Sequence, residues 1–507
     1  MKLLFDGHNY QYAAEQMLFT LFPGERAVYT GEADSTLRLK LSEGAQYLTA
    51  TATLHRNGTV YHGASRAPRR LLSGEDTQDR RVHQRILKTA FYRAGTAALG
   101  KAPPWGAMTG VRPVKIPTRA MEQGASARQA DALLRNVYFV TPRRRQLAIT
   151  CAQESLRAKA LLKPDELSLY IGIPFCPTRC TYCSFVSADV KRALRLVEPF
   201  LAKLYEELYM AGETLRHLGL SVRTVYIGGG TPTTLSAGQL DRLLERIAAA
   251  IDFSHCTEYT VEAGRPDTIT AEKLAVLRRH GVGRISVNPQ SMSDAVLAAM
   301  GRAHKGEDVL RAWALARQSG IPCVNMDLIA GLPTDTTEGF RHTIDQIMAL
   351  APENITIHTL ARKKGSHLAA QAQQLPPDEA VSDMLDYAWT VLAQAGYVPY
   401  YLYRQKNMSG SFENIGWSKP GFQSLYNLCM MEELHSVLAL GGGGVTKLVD
   451  PVRGRIVRIT NAKYPQEYVE NTLTSGDKWA RIRSFYADKG VDSHGLSATG
   501  HHPRPGT

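Results

Sequence analysis

The stretch LYIGIPFCPTRCTYCSF, which spans residues 169–185, decides the fold class. Its three cysteines are Cys176, Cys180 and Cys183, in a C-x3-C-x2-C spacing. An apolar, β-prone run over 167–173 leads directly into the cysteines, and Pro174 ends that run. The pattern therefore predicts a loop of thiols just beyond the carboxyl end of a β-strand.

Three thiolates within eight residues can bind one metal cluster. A [4Fe–4S] cube usually takes four cysteine ligands, so a cube held by three leaves one iron open to a substrate. A zinc knuckle is the alternative, but zinc needs a fourth Cys or His at a useful spacing, and none lies close by in the sequence. The spacing therefore favours an iron–sulfur cluster.

This loop resembles the cluster loop of the radical S-adenosylmethionine (SAM) enzymes and, within them, that of the oxygen-independent coproporphyrinogen III oxidases, or coproporphyrinogen dehydrogenases. The family pattern is Tyr-Ile-x-Ile-Pro-Phe-Cys-x3-Cys-x-aromatic-Cys. The main branch has His where this chain has Gly172, so the resemblance points to a divergent branch with an extended N-terminal domain. It implies a [4Fe–4S] cluster held by the three cysteines, together with SAM.

Strand, loop and helix patterns repeat between residues 165 and 362. The predicted strands are Leu167–Ile173, Thr224–Ile227, Tyr259–Val261, Arg284–Val287, Asn325–Ile329 and Asn354–Thr359. Each crossover exceeds the dozen or so residues that parallel strands require. We therefore expect an α/β fold with six βα units, a partial parallel TIM-like barrel with its chemistry at the carboxyl ends of the strands.

The flanking regions predict further domains. Alternating apolar residues, an Asn57-Gly58 turn and an apolar four-residue repeat over 82–94 indicate an N-terminal α+β domain over 1–150. A helix and an aromatic strand over 397–403 indicate a C-terminal α+β domain over 376–489 that covers the substrate. The Gly-, Ser-, His- and Pro-rich tail, 490–507, is expected to be disordered.

Composition restricts the class of protein. With 507 residues, 44% of them apolar, the chain is an ordinary globular sequence, and no run of eighteen apolar residues predicts a membrane span. Asp6 comes too early for a signal peptide, so we expect a cytoplasmic protein. We also expect a monomer. The net charge of +13 suits an anionic partner. The run Arg143–Arg145 is expected to face solvent, and the other cysteines, Cys151, Cys256, Cys323 and Cys429, to be buried free thiols.

The second predicted strand ends in Gly228-Gly229-Gly230-Thr231-Pro232-Thr233. Glycines let the backbone approach a ligand and offer free N–H groups to a carboxylate. The family has the same Gly-Gly-Gly-Thr-Pro-Thr one βα unit after the cluster loop. The resemblance implies that Gly229, Gly230 and Thr231 contact the amino and carboxylate ends of SAM.

Acids end two other strands. Glu262 ends the third and can accept hydrogen bonds from ribose hydroxyls or an ammonium, although the family's Asn-Pro after it is replaced by Ala263-Gly264-Arg265-Pro266. Arg265 is either a cation near the barrel mouth or half of a surface ion pair. Asp327 stands alone in an apolar strand, which is costly unless it is partnered, so a ligand or capping role is expected.

The resemblance assigns further residues to the cofactor. Gln290, Arg302 and Asp327 match ligands of SAM, including those of a second SAM molecule. Tyr170 matches a residue that contacts the first SAM, Tyr182 an aromatic that can stack on adenine, and Ile357 a position lining the adenosine site.

The function implied is oxidative decarboxylation of coproporphyrinogen III to protoporphyrinogen IX in haem synthesis, by a 5'-deoxyadenosyl radical. The implied partners are a tetrapyrrole polycarboxylate and an electron donor such as flavodoxin or ferredoxin, with neither a membrane nor a nucleic acid. Arg404 and Lys406 are candidate clamps for the substrate carboxylates.

Three rivals stay open. Related haem chaperones share the barrel and the cluster loop but carry a His-Asn-x-x-Tyr-Trp motif, where this chain has Glu413-Asn414-Ile415-Gly416-Trp417. A radical SAM methyltransferase acting on haem would use the same two SAM sites. An RNA-modifying enzyme is suggested only by the basic charge, without a stripe of cations and aromatics.

Overall fold

The computed structural model describes residues 1–183, 188–190, 193–361, 375–405, 412–470 and 474–495. Its strands are β1 (Lys2–Asp6), β2 (Ser35–Glu43), β3 (Tyr47–Arg56), β4 (Thr59–Pro68), β5 (Glu166–Ile173), β6 (Phe175–Cys176), β7 (Ala188–Asp189), β8 (Ser221–Gly229), β9 (Glu258–Glu262), β10 (Arg284–Ser286), β11 (Cys323–Ala330), β12 (Asn354–Thr359), β13 (Val398–Tyr403), β14 (Asn414–Ser418), β15 (Val437–Gly441), β16 (Val445–Asp450) and β17 (Arg455–Thr460).

The α-helices of the same residues are α1 (Gln11–Leu21), α2 (Asp76–Leu99), α3 (Lys115–Glu122), α4 (Ala127–Asn136), α5 (Pro142–Ala160), α6 (Val197–Leu218), α7 (Ala237–Ala250), α8 (Ala271–Arg279), α9 (Asp294–Ala299), α10 (Gly306–Gln318), α11 (Thr337–Leu350), α12 (Asp378–Gln394), α13 (Leu425–Glu432), α14 (Pro465–Glu470) and α15 (Thr474–Gly495). The chain divides into two units, Met1–Ala152 with Tyr403–Glu413, and Gln153–Leu402 with the described residues from Asn414 onward.

In the first unit, β1 to β4 form a sheet in sequence order, with β1 parallel to β2 and the other pairs antiparallel. Asn57 and Gly58 make the expected turn between β3 and β4, with φ of 49° and 72°. Positive φ at both residues suits the right-handed twist of a hairpin. The alternating apolar residues of β2 and β3 form a core with α1 and α2. The predicted strands, turn and helical repeat are therefore confirmed.

The second unit is organised around an eleven-stranded sheet in the order β13-β14-β12-β11-β10-β9-β8-β5-β15-β16-β17. Within it, β5, β8, β9, β10, β11 and β12 are neighbours in sequence order and all parallel. These are the six predicted strands, and the predicted α/β class with six parallel βα units is confirmed. Their carboxyl ends share one edge, which brings the loops carrying the predicted site residues together.

Local signals explain where the helices begin and end. Ser236 and Gln239 form a capping box at the start of α7, and Thr270 accepts a hydrogen bond from the Lys273 N–H at the start of α8. Gly281 and Gly320 follow α8 and α10 with φ of 76° and 70°, a left-handed conformation that glycine adopts without a Cβ clash.

The sheet continues beyond the six parallel strands at both edges. At one edge β14 pairs antiparallel with β12, and at the other β15 lies parallel to β5. Residues assigned by sequence to a C-terminal domain therefore include strands of the same sheet. The domain boundaries at 150, 165–362 and 376–489 stay predictions. Of the expected disordered tail, residues 490–495 belong to the last helix, α15, which differs from the expectation, and residues 496–507 lie outside the described residues.

Two expectations about side chains are wrong. Arg144 does not face solvent: it is buried, and its Nε donates to Glu413 Oε1 at 3.0 Å. Cys256 is half-buried rather than buried, although all seven cysteines are free thiols. Both errors arise because burial depends on tertiary contacts. A run of arginines or a single cysteine in the sequence does not predict those contacts.

Across the described helices, none is both long and apolar enough to cross a membrane.

Candidate radical SAM site

The cysteine loop begins where β5 ends. Cys176 closes the short strand β6, and its Sγ lies 3.5 Å from Thr231 Oγ1. Cys180 is buried, whereas Cys176 and Cys183 are partly exposed. In the described part of the chain, no three thiol, imidazole or carboxylate groups are gathered as a preformed metal site. The role of these cysteines as cluster ligands therefore rests on their spacing and on the family.

The glycine turn after β8 packs directly on this loop. The N–H groups of Gly230 and Thr231 donate to the carbonyl oxygens of Ile173 and Phe175, at 2.8 and 2.7 Å. A Cβ on Gly230 would lie 2.4 Å from Phe175 O, so only glycine fits there. The expectation that these two N–H groups are free for a SAM carboxylate is therefore not met, because the backbone of the cysteine loop already uses them.

Glu262, at the end of β9, is held by its neighbours on β8. The Tyr226 hydroxyl donates to Glu262 Oε1 at 2.5 Å, and the Gly229 N–H donates to the same carboxylate. Burial raises the pKa of Glu262 to about 7 despite these hydrogen bonds, and the nearby charge of Asp327 acts in the same direction. The carboxyl group is therefore poised between its neutral and ionised forms near neutral pH.

Asp327 lies within β11, two residues beyond Asn325, which is in register with Glu262 through Ser286 of β10. Polar groups of two strands surround it. Asn325 Nδ2 donates to Asp327 Oδ1 at 2.8 Å, and His358 Nε2 lies 3.8 Å from Oδ2. Burial alone would raise the pKa of Asp327, but hydrogen bonds from His358, Asn325 and Thr356 and the charge of His358 outweigh it and hold the pKa below its usual range. The two acids therefore differ, with Asp327 the more firmly ionised.

Gln290 and Arg302 lie beside the same edge. Gln290 has φ of 70°, its N–H donates to Asp327 O at 2.9 Å, and its buried Oε1 has no hydrogen-bond partner among the described residues. Arg302 donates to the Tyr182 hydroxyl at 2.7 Å and to the carbonyl oxygens of Asn288 and Gly264 at 2.8 and 3.3 Å. Its Nε is buried, and the part of the chain that the structure describes offers it no partner. Arg302 therefore fixes Tyr182, which stands between two of the cysteines.

Tyr170 lies in a stack of three aromatic rings. It is nearly parallel to Tyr226, with centroids 6.3 Å apart, and Tyr226 stacks on Tyr426 of α13 at 4.3 Å. Burial raises the pKa of the Tyr170 hydroxyl well above its usual value, so it stays protonated. Within this stack, the Tyr226 hydroxyl donates a hydrogen bond to Glu262.

The sequence left Arg265 open between a cation near the barrel mouth and half of a surface ion pair. It is buried: it pairs with Asp267 at 3.0 Å, and its Nη1 lies 3.8 Å from Cys180 Sγ. Tyr226 and His358 were missed altogether. The two-residue period of a β-strand could have indicated them, because residues two positions apart lie on the same face. Tyr226 shares its face of β8 with Gly228, and His358 shares its face of β12 with Thr356.

Ile357 and Arg404 have different contacts. Ile357 is buried on the face of β12 opposite to Thr356 and His358, so the structure does not bring it to the acids. Arg404, in the other unit, is buried and donates to Met108 O at 2.7 Å, and its guanidinium lies 5.9 Å from the Trp105 ring centroid. Lys406 lies outside the described residues.

These side chains fit a small polar cofactor at the edge of the sheet. A buried polar atom without a partner is unfavourable, and within the described ranges Gln290 Oε1 and Arg302 Nε are two such atoms. Glu262 and Asp327 add carboxylates to the same edge, and both keep part of their surface accessible. Donors and acceptors of this kind suit the ammonium, carboxylate and ribose groups of SAM.

Comparison with known proteins shows the family to which the chain belongs. Residues 170–347 match the family model of the radical SAM superfamily. The chain is 37% identical over 453 residues to the oxygen-independent coproporphyrinogen-III oxidase-like protein HemZ of Bacillus subtilis, covering 87% of this chain and 89% of that protein. It is 33% identical over 319 residues to the heme chaperone HemW of Haemophilus influenzae, covering 62% and 79%.

The structure also resembles the solved coproporphyrinogen III oxidase (HemN) of Escherichia coli, with a TM-score of 0.50 and 23% identity over 63% of this chain and 71% of that one. At that identity the likeness shows the fold alone. Superfamily membership implies a [4Fe–4S] cluster and SAM as cofactors. The chain therefore belongs to the radical SAM superfamily and, within it, to the family of oxygen-independent coproporphyrinogen III oxidase-like proteins.

Proposed function

We propose that this protein oxidatively decarboxylates coproporphyrinogen III to protoporphyrinogen IX without oxygen, in haem biosynthesis. The observation that carries the proposal is the group of Glu262, Asp327, Gln290 and Arg302 at the edge of the sheet next to the cysteine loop. The printed name of the relative from Bacillus subtilis, a coproporphyrinogen oxidase-like protein, supports the same reaction.

In this proposal Cys176, Cys180 and Cys183 hold the cluster. The cluster and SAM, when bound, supply a carbon-centred radical that removes one hydrogen atom from the substrate. Glu262 and Asp327 accept hydrogen bonds from the cationic and hydroxyl groups of the cofactor, and the tyrosine stack keeps Glu262 in place. The protein positions the reacting groups and excludes water from them.

Each of two propionate groups changes in the same way. The propionate loses one hydrogen atom from its β-carbon, the bond to its carboxyl carbon breaks, and carbon dioxide leaves while one electron passes to an acceptor. A vinyl group remains. We propose a flavodoxin or ferredoxin as the donor of the electrons that initiate the reaction.

A second SAM molecule belongs to the same proposal. Within the described residues, Gln290 Oε1 and Arg302 Nε are buried without a hydrogen-bond partner, while the Gln290 N–H donates to Asp327 O and Arg302 donates to the Tyr182 hydroxyl. These atoms add to the carboxylates of Glu262 and Asp327, and polar groups in this number suit two cofactor molecules. The expected stoichiometry is two SAM cleaved per substrate, one for each vinyl group.

A haem chaperone is the second candidate, because two relatives named heme chaperone HemW are 33% and 30% identical to this chain. Where the chaperones have His, this chain has Glu413. Glu413 is buried, and it accepts hydrogen bonds from Trp105 Nε1 at 2.6 Å and Arg144 Nε at 3.0 Å. Because a carboxylate held by two donors stands where the chaperones have histidine, we favour the enzyme over the chaperone.

The test is anaerobic turnover by reconstituted protein with SAM, a reductant and either coproporphyrinogen or haem, followed by mass spectrometry. Loss of two carbon dioxide molecules from coproporphyrinogen supports the proposal. A Cys180→Ala variant should be inactive, whereas the matched control Cys256→Ala, a thiol outside the loop, should keep its activity. Stable haem binding without decarboxylation would favour the chaperone, and a methylated or ring-opened haem would favour the methyltransferase.

A further inference from the structure

A turn of four glycines, Gly441–Gly444, lies against the strand that leads to the cluster cysteines. Gly441 pairs with Gly172 in the parallel ladder between β15 and β5, and the Gly442 N–H donates to Gly172 O at 3.1 Å. A Cβ on Gly172 would lie 2.5 Å from Gly442 O, and a Cβ on Gly442 would lie 2.6 Å from Pro174. The glycine turn therefore lies in close contact with Gly172 and Pro174, four and two residues before Cys176.

This turn is held by one carboxylate, that of Glu207 of α6, whose side chain is 11% exposed. Glu207 Oε2 accepts hydrogen bonds from the Gly441 N–H at 2.7 Å and from the Tyr468 hydroxyl at 2.6 Å. Its Oε1 accepts from Asn461 Nδ2 at 2.9 Å and from Lys478 Nζ at 2.7 Å. Asn461 Nδ2 also donates to Gly441 O, so both polar groups of the Gly441 backbone are engaged.

The ammonium of Lys478 comes from the C-terminal helix α15. Its side chain is only 5% exposed, and Nζ donates to Ala439 O at 2.6 Å and to Asn461 Oδ1 at 3.1 Å, besides Glu207. A buried ion pair contributes little net stability compared with apolar residues of the same size, but removal of one partner leaves an uncompensated charge. Such a pair is therefore better explained by the geometry that it enforces.

We propose that Glu207 and Lys478 are positioning residues for the cluster loop, which act by holding the glycine turn 441–444 against Gly172. The contacts form a continuous series: α15 provides Lys478, Lys478 fixes Glu207, Glu207 fixes Gly441, and the turn sets the backbone from Gly172 to Pro174. The main family branch has a side chain at the position of Gly172; here the carbonyl of Gly442 fills that space.

A cavity of about 340 Å³ beside the pair makes the proposal testable by chemical rescue. Glu207, Lys478 and Tyr468 line it, and exposed Asp477 and Arg481 stand at its rim. Lys478→Ala would remove three methylene groups and the ammonium, and n-propylammonium has the same atoms. Added n-propylamine can therefore replace the lost group, whereas 1-propanol, of similar size but without charge, cannot replace its charge.

The experiment compares wild type, Lys478→Ala and the control Arg481→Ala, which lies three residues further along α15 and makes no hydrogen bond with Glu207. In the apo proteins, amide hydrogen exchange of the segments 169–176 and 437–446 is measured. In the reconstituted proteins, the rate of cluster loss to a chelator and the electron paramagnetic resonance spectrum of the reduced cluster with SAM are measured.

In Lys478→Ala, we expect the amide hydrogens of both segments to exchange at least fivefold faster than in wild type. We also expect faster loss of the cluster and a changed electron paramagnetic resonance spectrum. Added n-propylamine should reverse all three effects. Arg481→Ala should match wild type. Wild-type exchange and spectrum in Lys478→Ala, or changes that only 1-propanol reverses, would overturn the proposal.

If Lys478→Ala does not fold, Tyr468→Phe serves instead, because it removes one donor to Glu207 and leaves the ion pair intact. It should shift exchange and spectrum in the same direction by a smaller factor, and no shift would also overturn the proposal. The inference rests on the cysteine loop holding the cluster but not on the substrate. Failure of decarboxylation would therefore leave these measurements unaffected.

Discussion

The pH dependence of SAM binding should follow the ionisation of Glu262. Its carboxyl group has a pKa of about 7 in the unliganded protein, because burial penalises the charge. Only the ionised carboxylate accepts the charge-assisted hydrogen bonds that a cationic cofactor offers. Lower pH should therefore weaken binding, since the raised pKa makes Glu262 neutral in a range where an ordinary glutamate is charged.

The magnitude follows from the fraction of ionised carboxyl groups. With a pKa of about 7, roughly 91% of the groups are ionised at pH 8 and roughly 9% at pH 6. Apparent affinity scales with the competent fraction, so Kd should rise about tenfold between pH 8 and pH 6, or about 1.4 kcal/mol. Glu262→Gln should abolish the dependence and weaken binding at pH 8 by about 1.5–3 kcal/mol.

The assay is anaerobic equilibrium dialysis of SAM against reconstituted protein from pH 5.5 to 8.5. The other titratable groups that face Glu262 are Tyr170, Tyr226, Asp327, His358 and Tyr426. His358→Gln removes one of them, and because its charge lowers the pKa of Glu262, the midpoint should move to higher pH and the profile should persist. Any pH dependence that remains in Glu262→Gln comes from groups other than Glu262, including those of SAM itself. A flat wild-type profile, or an unchanged profile in Glu262→Gln, would refute the reasoning.

Three further outcomes are expected. Gly172→Ala places a Cβ 2.5 Å from Gly442 O, so unfolding free energy should fall by about 1–3 kcal/mol in urea titrations, and an unchanged midpoint would contradict the contact. Arg302→Met leaves the Tyr182 hydroxyl and two carbonyl oxygens without their donor, so stability and SAM affinity should both fall, stability by about 2 kcal/mol, as chemical denaturation would show. Asp327→Asn keeps the shape but removes the charge, so SAM binding in dialysis should weaken about tenfold or more with the cluster spectrum intact; unchanged affinity would remove Asp327 from the site.

Patterns with a short range were readable in the sequence. The three cysteines, the apolar runs that form β5 and β8 to β12, and the caps of α7 and α8 depend on neighbours within a few residues. Parallel order also followed, because the spacing between strands allows a helical crossover and little else. The acids at strand ends were found because a charge in or after an apolar strand stands out.

The surroundings of those residues were not readable. That Glu262 receives the Tyr226 hydroxyl, that Arg265 reaches Cys180 and that His358 stands beside Asp327 depends on strand register, which brings together residues 30 or more apart. The free N–H groups expected on the glycine turn are instead used by the cysteine loop. The sequence identifies which kinds of residue are at the site. Their hydrogen-bond partners are determined by how distant segments pack together.

The sequence by itself determined the α/β class, the cysteine loop and the acids that accompany it, because each is written in spacing and alternation along one segment. Tertiary structure alone decided the charge state of Glu262 and the connection from Lys478 through Glu207 to Gly172. Burial and strand register are properties of the folded chain, since they arise only when segments far apart in sequence exclude water from the same volume.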